Sequence, residues 1–233
     1  MHIGTAATNF NTRHPLITAS MAVTCHRLSG GGRFILGLGR GVPQYSALGV
    51  SAATTAQLED FAGVMRRLWK GEFIVDHDGP MGKYPILVLD PPDFNENIRL
   101  GLVAFGPQTL ALGGRAFDDI VLHTFFFTPP ETLQRCVRTV KEAAEQAGRD
   151  PDSVRVWSCL ATVSDHLPEE LRMKKTVARL ATYLQAYGDL LVSTNRWDPG
   201  VLARFREDPV VTSVAGGALT PRQRPSRSNI SRR

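Results

Sequence analysis

Several features that would place a protein in a specialised class are scarce or missing from this sequence. Cys25, Cys136 and Cys159 are far apart, and none has the spacing of a metal-ligand pair. Dispersed cysteines in an odd number favour free thiols in a reducing compartment. No apolar run approaches the roughly 18 residues of a membrane-spanning helix. The first residues also lack a charged segment followed by an apolar one, as in a secretory signal. We therefore expect a cytoplasmic protein without a metal site or a membrane partner.

Familiar catalytic signatures are also missing. The sequence has no Ser/His/Asp constellation and no Walker loop. Asp118-Asp119 precedes a predicted strand, which places the pair at the amino-terminal, structural end of a parallel sheet. Asp165-His166 stands before a predicted helix, where a capping role is expected. The sequence therefore indicates no catalytic residue.

Excess positive charge is confined to the last residues of the chain. The net charge of +5 equals the five arginines of residues 217–233, which include no Asp or Glu. The remaining body is neutral, so no basic face for nucleic acid is expected, and binding through the arginine tail alone is a weak alternative. Residues 216–233 are predicted to be a disordered basic tail. They are either a natural tail or the product of a shifted reading frame.

Short apolar segments alternate with amphipathic helices along residues 1–215, which are predicted to form one domain. Such alternation indicates a parallel sheet with crossover helices, either doubly wound or a (β/α)8 barrel. The predicted strands are Ile3–Ala7, Phe34–Leu38, Arg99–Ala104, Asp119–Phe125 and Val154–Val163. The predicted helices are Pro15–Leu28, Thr54–Lys70, Gln108–Ala116, Pro130–Ala147 and Leu167–Ala186. Phe73–Asn97, rich in Pro, Gly and Asp, is predicted to be a lid or a disordered loop.

Two segments at predicted strand ends could bind a phosphate. Arg40 lies between Gly39 and Gly41, whose lack of side chains lets a ligand approach the backbone closely. Gly106 and Pro107 lead into a helix whose first free N–H groups, on Gln108 and Thr109, can bind an anion. A surface arginine and a plain strand-to-helix turn are the alternatives. His14, before Pro15, is expected to cap or pack rather than to face a pocket.

The segments Gly4–Gly41, Leu58–Gly71 and Arg99–Phe125 resemble the bacterial-luciferase-like flavin or deazaflavin oxidoreductases, which are (β/α)8 barrels. The nearest subgroup is the actinobacterial enzymes that use coenzyme F420. The resemblance implies hydride transfer between F420, or alternatively FMN, and a small organic substrate. It further implies a cis peptide between Ala6 and Ala7 behind the cofactor ring. The cofactor contacts that it implies are Thr5, Ala6, Ala7, Gly39, Arg40, Gly106, Pro107, Gln108 and Thr109.

The resemblance covers only part of the family's barrel. The five predicted strands correspond to about strands three to seven, so we expect a partial (β/α)8 TIM barrel of α/β class that is truncated at both ends. Exposed strand edges in such an arc favour association with a second copy. The alternatives are a non-catalytic fragment of such an enzyme and an FMN-dependent monooxygenase.

Overall fold

The computed structural model describes residues 1–41, 49–90, 95–123, 130–159, 162–209 and 211–212. They belong to two compact units, Met1–Ala161 and Thr162–Arg233. The predicted boundary at residue 216 and the basic tail lie outside the described residues, so that division of the chain stays a prediction.

The first unit alternates strands with helices, as predicted. Its strands are β1 (Ile3–Gly4), β2 (Phe34–Leu38), β3 (Ile74–Gly79), β4 (Gly82–Leu87), β5 (Arg99–Val103), β6 (Asp119–His123) and β7 (Arg155–Cys159). Its helices are α1 (Pro15–Leu28), α2 (Thr55–Trp69), α3 (Pro107–Ala116) and α4 (Pro130–Gln146).

The main sheet has five parallel strands in the order β1-β2-β5-β6-β7. Its strand order follows the chain without the reversal that defines a doubly wound sheet, so the barrel alternative is the right one.

Side-chain contacts reveal that this sheet is curled. In a flat sheet, four strand spacings would separate β1 from β7 by about 19 Å. Yet His2, next to β1, has its Nε2 3.2 Å from Nη1 of Arg155 on β7. Its ring centroid lies 6.2 Å from that of Trp157 on the same strand. The two edges therefore curve towards each other, and the sheet is a half-barrel.

The segment Phe73–Asn97 corrects a prediction. Instead of a disordered loop, β3 and β4 form an antiparallel hairpin inside it. A role as a lid stays a prediction, and residues 91–94 of the segment lie outside the described residues. Asp60 of α2 holds the hairpin, since its Oδ2 accepts a hydrogen bond from Met81 N at 3.0 Å and lies 3.1 Å from His77 Nε2. Because turn-forming residues dominate the segment, its composition predicts a loop and does not indicate the two short strands.

Other predicted bounds need smaller corrections. β1 ends at Gly4 rather than Ala7, because the chain bulges out of the sheet there. β7 ends at Cys159, and residues 162 and 163 are in no strand. The predictions for residues 124 and 125 and for 160 and 161 fall outside the described residues.

Helix α2 fastens the core of the first unit. Thr54 caps it in a reciprocal capping box with Gln57. The predicted apolar stripe is buried along its whole length: Leu58, Phe61, Ala62, Met65, Leu68 and Trp69. The Trp69 indole donates a hydrogen bond to the carbonyl oxygen of Ala19, at 3.2 Å, and so joins α2 to α1.

Two helical glycines should respond oppositely to alanine. A Cβ on Gly114 of α3 would overlap the Val140 carbonyl oxygen of α4, whereas a Cβ on Gly63 of α2 would meet nothing within 4 Å. We expect Gly63→Ala to raise the free energy of unfolding by up to about 1 kcal/mol. Gly114→Ala should lower it by about 1–3 kcal/mol, because the two helices must separate. Urea denaturation of the matched pair tests this, and equal effects would contradict the close packing of α3 on α4.

The second unit contains α5 (Glu169–Asn195) and α6 (Pro199–Glu207). Helix α5 is longer than predicted and is interrupted at Tyr187, where φ is −138°. Arg206 pairs with Asp189 through two bonds of 3.0 and 2.8 Å. The predicted cap at Asp165-His166 is wrong, because the residue before α5 is Pro168 and no side chain caps the helix. None of the helices described is long and apolar enough to cross a membrane.

Candidate functional site

The first predicted site segment forms a bulge at the end of β1. Thr5 N donates a hydrogen bond to Ile35 O at 3.2 Å, and Thr8 N donates to Gly37 O at 2.9 Å. Three residues along the first strand thus match two along β2, which is one residue more than a regular ladder allows. The peptide bond between Ala6 and Ala7 is cis. Both alanines are exposed at the carboxyl end of the strand.

Thr5 serves the bulge itself. Its hydroxyl donates a hydrogen bond to Gly37 O at 2.8 Å and accepts one from Gly37 N at 3.0 Å. Gly37 has no room for a side chain, since a Cβ there would overlap the Thr5 carbonyl oxygen. The Thr5 hydroxyl is therefore committed to holding β1 against β2.

The second predicted segment, at the end of β2, lies beside the first. Gly39 N donates a hydrogen bond to Thr8 O at 3.1 Å, and a Cβ on Gly39 would be 3.0 Å from the Ala7 Cβ. Arg40 is exposed, and its Nε donates to Ala53 O at 2.7 Å. Its terminal nitrogens have no partner among the described residues, which exclude 42–48. The bond to Ala53 positions the guanidinium while leaving donors for an anion.

The third predicted segment begins α3 at the end of β5. Gly106 precedes the helix, no side chain caps it, and Pro107 is its first residue. A Cβ on Gly106 would meet nothing within 4 Å among the described residues, so there is open space beside the turn that starts the helix. Gln108 is exposed and Thr109 is buried. The first-turn N–H groups of a helix have no partner within it and favour an anion.

Sheet order brings the three segments together. Because β1, β2 and β5 are neighbours and parallel, Ala6-Ala7, Gly39-Arg40 and Gly106–Thr109 all lie at the same, carboxyl edge. Neighbouring strands are about 4.8 Å apart, so β1 and β5 are about 10 Å apart across the sheet. This edge is where (β/α)8 enzymes have their active sites.

His14 has the structural role that we expected. Its Nδ1 accepts a hydrogen bond from Leu16 N at 3.3 Å and caps α1. Its ring also meets Tyr84 of the hairpin edge-on, with the centroids 5.3 Å apart. No catalytic role follows for this histidine.

Sequence reasoning missed Asn9, which also lies at this edge. The residue is 9% exposed, and its side chain does not cap the short 3-10 turn that follows it. Within the described part of the chain, the side-chain amide has no hydrogen-bond partner. Asparagine is common in turns, so no signal in the sequence separates this one from the ordinary case.

The edge has features that suit a flat cofactor with a phosphate. It offers a glycine rim beside two small side chains, the side-chain amide of Asn9, which has no hydrogen-bond partner among the described residues, and an open helix start near an arginine. Small residues let a ring approach the backbone closely.

Asp118 and Asp119 lie at the opposite end of the sheet, as expected. Asp119 is fully buried, and its carboxylate accepts hydrogen bonds from Arg99 at 2.7 Å, from Arg155 at 2.8 Å and from the Trp157 indole at 2.6 Å. Burial by itself would raise the pKa of Asp119, but the hydrogen bonds from Arg155, Arg99 and Trp157 outweigh it and lower the pKa. Such a site stabilises an ionised carboxylate and ties β5, β6 and β7 together.

Comparison with known sequences establishes the class of protein. Residues 1–222 match the luciferase-like monooxygenase family, so the chain belongs to that family. The chain is 32% identical over 179 residues to the phthiodiolone/phenolphthiodiolone dimycocerosates ketoreductase of Mycobacterium sp. (strain JLS). That match covers 73% of this chain and 46% of the relative. The chain thus spans about half the length of the curated relatives that it matches.

Solved structures share the fold. The coenzyme F420 dependent tetrahydromethanopterin reductase of Methanopyrus kandleri superposes with a TM-score of 0.71 at 21% identity, over 93% of this chain and 66% of that one. An F420-dependent secondary alcohol dehydrogenase in complex with an F420-acetone adduct gives a TM-score of 0.66 at 18% identity, over 87% and 64%. The half-barrel is therefore that of the luciferase-like TIM barrel.

Proposed function

We propose that this chain takes part in hydride transfer between coenzyme F420 and a small organic substrate. One observation carries the proposal: a strand bulge, a glycine rim and an open helix start lie together at the carboxyl edge of β1, β2 and β5. Family membership and F420-dependent structural neighbours support it. Bound cofactor would supply the redox chemistry, while the protein supplies binding and orientation.

Each predicted residue has a proposed part in holding the cofactor. Ala6, Ala7 and Gly39 have little bulk and would lie against the ring system. The guanidinium of Arg40 and the N–H groups of Gln108 and Thr109 would bind the phosphate, and Gly106 and Pro107 would shape the turn in front of it. Thr5 would act through the bulge that it stabilises. No side chain is assigned a proton-transfer role.

Carbonyl chemistry is the first reaction to assay. One relative is named a ketoreductase, and one structural neighbour is a secondary alcohol dehydrogenase. FMN remains the alternative cofactor, and an FMN-dependent monooxygenase is the alternative activity. Oxygen consumption with reduced FMN, set against F420 reduction by alcohols, distinguishes the two.

Cofactor titration of the full chain tests the proposal directly. We expect the fluorescence of F420 to change on binding, with saturation at micromolar protein. Saturation with FMN and not with F420 would favour the monooxygenase. If neither cofactor binds, the chain is a non-catalytic member of the family.

Arg40→Gln should weaken the binding of a phosphorylated cofactor by about tenfold, because a charge-assisted hydrogen bond is lost. The deazaflavin that lacks the phosphate should bind equally to both proteins. Arg33→Gln is the matched control, since Arg33 is exposed just before the opposite end of β2. Equal losses for the two ligands would place Arg40 away from the phosphate.

We also propose a homo-oligomer in the cytoplasm. Its support is the exposure of both edge strands of the half-barrel, with Ile3 of β1 57% exposed and Trp157 of β7 39% exposed. Light scattering on the purified chain measures the oligomeric state, and a monomer at all concentrations would contradict this part.

A further inference from the structure

Asn9 is a buried polar residue at the carboxyl edge of the sheet, directly after the bulge. Its backbone carbonyl accepts a hydrogen bond from the Thr12 hydroxyl at 3.0 Å. Its side chain has no such partner in the described residues and does not cap the turn that it precedes. A side-chain amide offers two N–H donors and an oxygen that can accept two hydrogen bonds, so it can pair with a ligand group that presents a donor beside an acceptor.

The position of Asn9 relates this amide to the bulge. Thr8, the residue before it, exchanges backbone bonds with Gly37 and Gly39 and so fixes the chain at the rim. Asn9 Oδ1 would lie 3.8 Å from a Cβ on Gly39, and the Ala7 Cβ would lie 3.0 Å from the same point. The amide and the Ala7 methyl group therefore border one small space above Gly39.

We propose that the Asn9 amide pairs with the imide edge of the cofactor ring. This inference rests on the proposed function. The imide edge of a flavin or deazaflavin presents an N–H donor beside a carbonyl acceptor. A side-chain amide presents the complementary acceptor and donor in one plane, as it does when asparagine pairs with the edge of adenine.

The hydrogen-bonding groups of Asn9 suit the imide edge of the ring better than the phosphate at the other end of the cofactor. A phosphate accepts hydrogen bonds only, so the acceptor oxygen of Asn9 would have no use there. Anion-binding groups instead lie at Arg40 and at the start of α3, up to two strands away from the bulge. Asn9 therefore orients the ring, whereas these groups hold the phosphate.

Since flavins and deazaflavins share the imide edge, Asn9 should fix the orientation of either ring without selecting between them. Asn9→Leu is thus expected to weaken both cofactors by a similar factor.

A chemical double-mutant cycle tests the pairing. The deazaflavin chromophore and a derivative methylated at the imide nitrogen are titrated against the full-length wild-type chain and Asn9→Leu, with equilibrium binding followed by fluorescence. For the wild type, methylation should weaken binding about tenfold, because the ring N–H and its bond to the amide are lost. For Asn9→Leu, the unmethylated ring should bind about tenfold more weakly, and the two ligands should bind alike.

Two further variants complete the experiment. Asn9→Asp keeps the acceptor for the ring N–H, so it should still discriminate against the methylated ring even if the leucine variant folds poorly. Asn97→Ala is the control, because Asn97 is exposed and lies just before β5, at the opposite end of the sheet. It should match the wild type with both ligands.

Each outcome decides the matter. If the wild type binds without discrimination, the proposed function stands and the pairing is wrong. If Asn9→Leu still discriminates tenfold, a group other than the Asn9 amide bonds the ring N–H, and the pairing is wrong. If the wild type binds neither the deazaflavin chromophore nor F420, both the proposed function and this inference are wrong.

Discussion

Asp119→Asn is expected to lower the free energy of unfolding by about 3–5 kcal/mol at neutral pH. The carboxylate is 1% exposed and joins arginines of two neighbouring strands, Arg99 of β5 and Arg155 of β7. An uncharged amide of the same shape would leave both guanidinium groups without their counter-charge. Urea denaturation followed by tryptophan fluorescence measures the loss, and Trp157 donates a hydrogen bond to this carboxylate.

The same variant has a predicted pH dependence. Folding lowers the pKa of Asp119, so it stabilises the ionised form. The stabilisation is complete above pH about 4, near the pKa of an unfolded aspartate. It is lost as the pH falls through the lower pKa of the folded state. Wild type and variant should therefore converge in stability only in strong acid.

Asp78→Asn is the control for this prediction. Asp78 pairs with Lys83 on the hairpin, but its side chain is 64% exposed. An exposed ion pair contributes little, so the same substitution there should change stability by less than about 1 kcal/mol. If Asp119→Asn is as mild as the control, the buried carboxylate does not hold the strands together.

Gly37→Ala is the second change with a large expected effect. The new Cβ would overlap the Thr5 carbonyl oxygen, a backbone atom that can move only if the bulge moves. We expect a loss of about 3 kcal/mol of stability, at the upper end for overpacking. Cofactor binding should be lost with it, because Ala6 and Ala7 are positioned by the displaced segment. Thermal unfolding and cofactor titration measure the two effects.

Gly101→Ala provides the comparison within the same sheet. A Cβ there would lie 3.1 Å from Ile35 Cγ2 and 3.2 Å from Gly37 Cα, which is tight but allows small shifts. The variant should lose about 1 kcal/mol and bind cofactor normally. Equal cofactor binding by both variants would contradict the role proposed for the bulge.

Local patterns predicted the main elements of the first unit. Phe34–Leu38 agrees with β2 at both ends, and the stripe of α2 is buried as its spacing required. Both predictions are correct because the sequence pattern reflects burial. A strand buried on both faces is apolar throughout, and an amphipathic helix is apolar on the one face that packs against the core. The prediction missed the hairpin of β3 and β4, because the residues of this segment are also typical of a loop.

The residues of the candidate site stay a prediction, but the structure shows where they lie. Family resemblance pointed to Ala6-Ala7, Gly39-Arg40 and Gly106–Thr109, and these segments do share one edge of the sheet. Asn9 could not be found this way. Its place beside Gly39 arises from the packing of the segment after β1 against the end of β2, which no local pattern in the sequence encodes.

The sequence by itself determined the alternation of strands and helices, the caps at Thr54 and His14, and the structural end that carries Asp118 and Asp119. These depend on neighbours along the chain. Only the tertiary structure decided between a barrel and a doubly wound sheet, formed the hairpin, and aligned the bulge with the ends of β2 and β5. Those outcomes depend on strand order and register, which arise from contacts between residues far apart in the sequence.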